Sequence, residues 1–146
     1  MFRFLLKLTT SDPLKRMLID TPMDILQKGA EDGAQRVARY VLGEAIISAP
    51  WHSGMMANAQ EVWKPGRLTT RQRERGVLAS RKVAVSARKV GREGHYYPLA
   101  IEFGWDDKPA GVPWLRESLH RSQGEALRLY RSALTKAVRN GQGVAG

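Results

Sequence analysis

The side chains able to carry chemistry are few and scattered. The chain has three histidines, His52, His95 and His120, and no cysteine. None of the histidines stands four residues from another beside a glutamate, the spacing that sets two imidazoles and a general base around zinc on one helix face. Without cysteine there is neither a thiolate metal site nor a disulfide framework. Ser53 lies in His52-Ser53-Gly54, outside the G-x-S-x-G turn that exposes a hydrolase nucleophile. Gly91-Arg92-Glu93-Gly94 lacks both the spacing and the lysine of a phosphate-binding loop. Glu102 is set in the apolar run Leu99-Ala100-Ile101-Glu102-Phe103. One carboxylate is a poor basis for general acid–base work, which needs a second group to handle the other proton. Asp106 and Asp107 follow it and would form an acidic patch. Period-two alternation puts Glu102 on the solvent side of a strand, opposite Ile101 and Phe103. The residues thus predict no catalytic site, no metal and no cofactor. A hydrolase built on His52, Glu102 and His120 would need all three to converge by folding.

Charge is the stronger signal. The 146 residues carry a net charge of +10. From Lys64 to Arg92 ten residues are basic (Lys64, Arg67, Arg71, Arg73, Arg75, Arg81, Lys82, Arg88, Lys89 and Arg92) and Glu74 alone is acidic, so this segment supplies +9 of the +10. So concentrated a field attracts an acidic partner, either a phosphate backbone or an acidic protein surface. The residues expected to make that contact are Arg67, Arg71, Arg73, Arg75, Arg81 and Lys82. Aromatic residues only flank the segment, at Trp63 and Tyr96, which argues against recognition of single-stranded bases.

These side chains need elements to position them. Thr21-Pro22-Met23-Asp24 predicts a helix start, with Thr21 as cap, Pro22 in the first helical position and Asp24 favoured by the helix dipole. Met23, Leu26, Ala30, Ala34, Val37, Val41, Ala45 and Ile46 then fall on one helical face, and Pro50 ends the helix near Ser48. Gly29, Gly33 and Gly43 each weaken it by roughly 1 kcal/mol, while the small residues allow close approach by a neighbour. Short strand character appears at 61–64, and 68–76 reads as an exposed loop or hairpin tip. Val83, Val85 and Ala87 alternate with polar and basic positions inside a strand over 77–90. A further strand is expected from Tyr97 to Phe103. Pro113 opens a helix to Asn140 with Leu115, Leu119, Ser122, Ala126, Leu129, Tyr130, Ala133, Ala137 and Val138 on one face; Asn140-Gly141 reads as its stop.

The expected fold is α+β: an antiparallel β-sheet with a long N-terminal and a long C-terminal helix packed on one face, plus a basic β-hairpin arm or loop. Length suits a single domain over 1–146, with an N-terminal segment 1–20, the basic arm 64–82 and a flexible tail 141–146. The apolar residues 1–8 are too few, and broken by Lys7, for a signal peptide, and no run reaches the roughly 18 apolar residues of a membrane span.

Three motifs resemble those of the tail-component family of tailed double-stranded DNA phages. Ala49-Pro50-Trp51-His52-Ser53-Gly54-Met55-Met56-Ala57-Asn58 resembles that family's A-P-x-x-T-G-x-L-x-x-S element. Tyr96-Tyr97-Pro98-Leu99-Ala100-Ile101-Glu102-Phe103-Gly104 resembles its Y-x-x-x-V-E-F-G segment. Lys108-Pro109-Ala110-Gly111-Val112-Pro113-Trp114-Leu115-Arg116-Glu117-Ser118-Leu119 resembles its P-F-L-R-P-A-L entry to the last helix. The resemblance spans roughly residues 22–138. Ser53 replaces threonine, Met55-Met56 alters the step after Gly54, Trp114 replaces phenylalanine, and Ser118 interrupts the last motif. Pro50, Gly54, Tyr97, Glu102, Phe103, Gly104, Pro113, Trp114 and Leu115 are the positions matching the motifs in a structural role.

The resemblance implies a non-enzymatic structural virion protein acting in head–tail joining or tail completion, as part of a homo-oligomeric ring at the neck. Implied partners are further copies of the chain, portal-connector or head-completion proteins, tail terminator or tail tube proteins, and the passing double-stranded DNA. The implied location is the virion, and the host cytoplasm during assembly. The alternative that charge alone supports is a small basic nucleic-acid-binding protein.

Overall fold

A computed structural model of the chain describes residues 21–49, 58–64, 66–86, 102–104, 111 and 113–144. Helix α1, Met23–Ser48, has Pro22 as its N-cap, and the Pro22 carbonyl accepts from the N–H groups of Ile25 and Leu26. The cap therefore falls one residue later than expected, on a side chain with no acceptor. Asp24 lies in the first turn as expected, and Ala49 leaves the helix at φ −59°, ψ 133°, the extended conformation that a following proline imposes.

The buried stripe of α1 is Leu26, Gly29, Ala30, Gly33, Val37, Ala38, Val41 and Ala45. Met23 and Ile46, expected on this stripe, are 65% and 39% exposed. The glycines take their place because another helix comes very close.

That helix belongs to the C-terminal region, which is two helices rather than one: α3, Trp114–Arg121, and α4, Gln123–Val144. The boundary falls at Ser122, although the backbone bonds Ser122 N to the Ser118 carbonyl and Ala126 N to the Ser122 carbonyl run through it. Ser118 Oγ donates to the Trp114 carbonyl and Ser122 Oγ to the Ser118 carbonyl, each at 2.6 Å. Serine hydroxyls bonded to the carbonyl four residues back compete with the helix ladder and bend it.

Helix α4 runs antiparallel to α1. Gly141 lies against Ile25, Gly29 against Ala137 and Leu134, and Gly33 against the Tyr130 ring. Farther along, Val37 and Val41 share a cluster with Ala126. A Cβ added at Gly29 would sit 2.7 Å from Ala137 Cβ, and one at Gly33 2.7 Å from Tyr130 Cδ2. The expected stop at Asn140-Gly141 does not occur, since α4 continues to Val144. Residues 142–144 of the expected flexible tail are therefore helical. Gly141 serves the packing on Ile25, with no role as a terminator.

The sheet is small. β1, Gln60–Trp63, pairs antiparallel with β2, Lys82–Val85, in the register Gln60 to Val85, Glu61 to Ala84, Val62 to Val83 and Trp63 to Lys82. The described fold is thus mixed helix and strand, with long helices at both ends of the chain and a two-stranded antiparallel sheet between them in sequence.

Residues 77–86 run alongside α1 in the same direction. Gln27 Nε2 donates to the Leu78 carbonyl, and Arg81 Nε to Gln35 Oε1 at 2.8 Å. Leu78 and Ala79 pack on Ala30 and Leu134, and Val83 on the cluster of Val37, Val41 and Ala126. Val85 joins Ala59 and Trp114. Within the strand expected over 77–90, Val83 and Val85 face inward as the alternation requires, but ladder pairing in the described residues covers only Lys82–Val85.

The other expected strand fails at its end: Glu102 and Phe103 are helical. Residues 97–101 lie outside the described residues, as do 1–20 of the N-terminal segment, Pro50, Gly54, Tyr97, Asp106 and Asp107.

Candidate functional site

Two features stand out: a buried carboxylate that joins two of the sequence motifs, and the basic connection between the strands. The first begins with a local deficiency. Helix α3 has Pro113 at its N-cap, and proline has no side-chain acceptor for the free N–H groups of the first turn. Glu102 supplies what Pro113 cannot. Its Oε2 accepts from Leu115 N at 3.0 Å and its Oε1 from Arg116 N at 3.0 Å. The same Oε1 accepts from Arg116 Nε at 3.1 Å, and Arg116 Nη2 donates to the Glu102 carbonyl at 2.9 Å.

A carboxylate at a helix N-terminus also meets the positive end of the helix dipole. Glu102 is 1% exposed, so the expectation that it faces solvent is corrected. That expectation followed from reading 99–103 as a strand; in a helical turn the alternation no longer applies.

The neighbouring motif residues complete this junction. Gly104 has φ +95°, a left-handed conformation that glycine adopts without a Cβ clash. Phe103 is exposed and lies under the Arg116 guanidinium, 4.9 Å from centroid to Cζ. Trp114 is buried with Ala59 and Val85, and Leu115 packs at the edge of that cluster. Glu102, Phe103, Gly104, Pro113, Trp114 and Leu115, chosen from two separate motifs, are therefore one structural unit. The signal that sequence reasoning missed was Arg116: an arginine in the first turn of a helix whose cap is proline calls for a carboxylate from elsewhere.

The basic connection is more ordered than a loop. Residues Thr70–Glu74 form the one-turn helix α2. Thr69 Oγ1 accepts from Gln72 N, and Gln72 Oε1 accepts from Thr69 N at 2.9 Å, a reciprocal capping box. At the other end Gly76 N donates to the Arg73 carbonyl and Val77 N to the Gln72 carbonyl, with Gly76 at φ +71°, which is the Schellman closure. Both ends were legible as Thr69-x-x-Gln72 and Gly76.

The turn displays Arg71, Arg73 and Arg75, all exposed, and Arg67 precedes it, also exposed. Arg81 and Lys82 differ from these four. Arg81 is half-buried and tied to Gln35 and to the Ser80 carbonyl. The Lys82 ammonium stands 5.0 Å over the Trp63 ring.

Other titratable groups are peripheral. His120 is exposed near the C-terminal end of α3, while Glu102 is engaged at its N-terminal end, so the structure does not bring these two together. His52 and His95 lie outside the described residues. Among the described residues no group of three or more histidine, cysteine or acidic side chains is placed to hold a metal ion. No described helix is long and apolar enough to cross a membrane. The Arg128 guanidinium hydrogen-bonded to Glu125 holds that carboxyl below its ordinary value, and burial pushes the Tyr130 phenol above its own.

Comparison of the chain with protein-family models, with curated proteins and with solved structures finds no match.

Proposed function

We propose that this chain is a structural virion protein of a tailed phage, acting in head–tail joining or tail completion as one subunit of a ring at the neck, and that it is not an enzyme. The observation carrying this reading is the Glu102 junction. The glutamate of one motif that resembles the tail-component family caps the helix opened by the next, thirteen and fourteen residues farther along, so the two motifs act as one interlocked unit, which supports reading them together. The proposal includes a wider antiparallel sheet with both long helices on one face; the seating of Val83 between α1 and α4 supports it.

A closed ring uses two different patches of each subunit. The arm is one such patch, facing an acidic neighbour or the DNA passing through the ring. The test is assembly of particles carrying Arg71→Glu, Arg73→Glu and Arg75→Glu together. Heads and tails should then accumulate unjoined. Normal joining would remove the arm from the proposal.

A second reading has its own observation. Lys64, Arg67, Arg71, Arg73 and Arg75 are exposed and have no carboxylate partner among the described residues. Such a surface suits a phosphate backbone, and a small nucleic-acid-binding protein would show duplex affinity falling steeply with salt. Absent or salt-insensitive binding would exclude it.

A further inference from the structure

We propose that the base of the basic arm binds single-stranded nucleic acid, with the Trp63 indole as the stacking surface for a base and the lysines and arginines of the arm as phosphate contacts. The inference rests on the nucleic-acid reading of the arm and names its substrate class. In sequence Trp63 stands just outside the basic segment, and the segment itself contains no aromatic residue. The strand register changes this. Trp63 is paired directly with Lys82, so the two ends of the arm meet at the indole.

The Lys82 ammonium occupies one ring face at 5.0 Å, Lys64 follows Trp63 in the chain, and the tryptophan is 54% exposed. A single exposed aromatic is ordinary on a protein surface. An exposed indole with an ammonium over one face, at the root of an arm whose residues 64–82 carry seven basic side chains against one acidic, is the pairing of stacking surface and electrostatic groove that single strands require. Duplex DNA keeps its base faces covered, so it would use the arginines and leave the indole idle. An acidic protein would likewise use the charges alone. DNA and RNA single strands share the base face and the phosphate, and both belong in the test.

The experiment uses the full chain and four probes: labelled single strands of DNA and of RNA, a duplex of equal length, and polyglutamate. Anisotropy is followed at low and at physiological salt, for the unmodified chain, Trp63→Ala and Trp63→Phe, with circular dichroism and thermal unfolding to verify folding. The expected result is tighter binding of a single strand than of duplex. Trp63→Ala should weaken single-strand binding on the order of tenfold and leave duplex binding unchanged, and Trp63→Phe should retain most of the affinity. Equal affinity for single strand and duplex, with no effect of Trp63→Ala, would overturn the stacking role while leaving the arm as a backbone contact. Failure to bind any nucleic acid would overturn the arm reading as well. Binding of polyglutamate as strong as that of the oligonucleotides would assign the arm to an acidic protein surface.

Discussion

Replacing Glu102 should destabilise the fold chiefly by uncapping α3. Glu102→Ala removes the acceptor of Leu115 N and Arg116 N, a loss of the N-cap kind that costs about 0.5–2 kcal/mol. It also removes the partner of Arg116 Nε. A hydrogen bond to a charged group contributes about 1.5–3 kcal/mol. Arg116 is 42% exposed, so water re-solvates its guanidinium and that share falls to about 1 kcal/mol or less. The sum is about 0.5–3 kcal/mol. For a chain of this length it lowers the unfolding midpoint by about 2–10 °C.

The assay is thermal and urea unfolding followed by circular dichroism, arranged as a double-mutant cycle with Arg116→Met. That variant leaves both backbone bonds to Glu102 in place. In its background Glu102→Ala should still cost about 1 kcal/mol, the cap share. If Glu102→Ala is neutral there, the carboxylate serves only the guanidinium and the capping account is wrong. A total loss below about 0.5 kcal/mol for Glu102→Ala alone would refute the whole argument.

The glycines of α1 separate two effects of the same substitution. Gly43→Ala meets nothing within 4 Å and should stabilise by up to about 1 kcal/mol through helix propensity. Gly33→Ala drives a Cβ to 2.7 Å from the Tyr130 ring, so overpacking of about 1–3 kcal/mol should outweigh that gain; urea midpoints of the two variants would have opposite signs. Stability should also fall in alkali. Burial favours the neutral Tyr130 phenol in the folded chain and pushes its pKa above the ordinary tyrosine value. The contribution is therefore intact below the unfolded value and lost as pH rises through the folded one. Tyr130→Phe should flatten that part of the pH–stability curve, and an unchanged slope would refute the assignment. Removing the Thr69 cap by Thr69→Ala should fray α2 at a cost of about 1 kcal/mol or less, seen as faster amide exchange at Gln72 with little change in the global midpoint.

Helix α1 was legible in the sequence because its signals are local: Asp24 in the first turn, Pro50 after the last, and apolar spacing between. The errors at its edges, Met23 and Ile46, arose because periodicity cannot tell which apolar residues at helix ends find a neighbour. Propensity marks Gly29 and Gly33 only as weak points of the helix; the position of the partner helix shows that they belong to the buried stripe itself. The boundary between α3 and α4 falls at Ser122, which looks like an ordinary helix residue until its hydroxyl bonds backward to Ser118. Gly141 followed Asn140 and so imitated a stop, while its purpose lay across the helix pair at Ile25. Glu102 was the largest error, and it has one cause. Five residues of strand character were allowed to set the orientation of a side chain whose partners are thirteen and fourteen residues farther along.

The most direct test of the proposed role is the location of the chain in assembled particles. A reconstruction of the neck should contain this fold as a closed ring at the head–tail joint, with the arm of each subunit against a neighbour or the DNA. Purified, infectious particles that lack the polypeptide altogether would contradict the account.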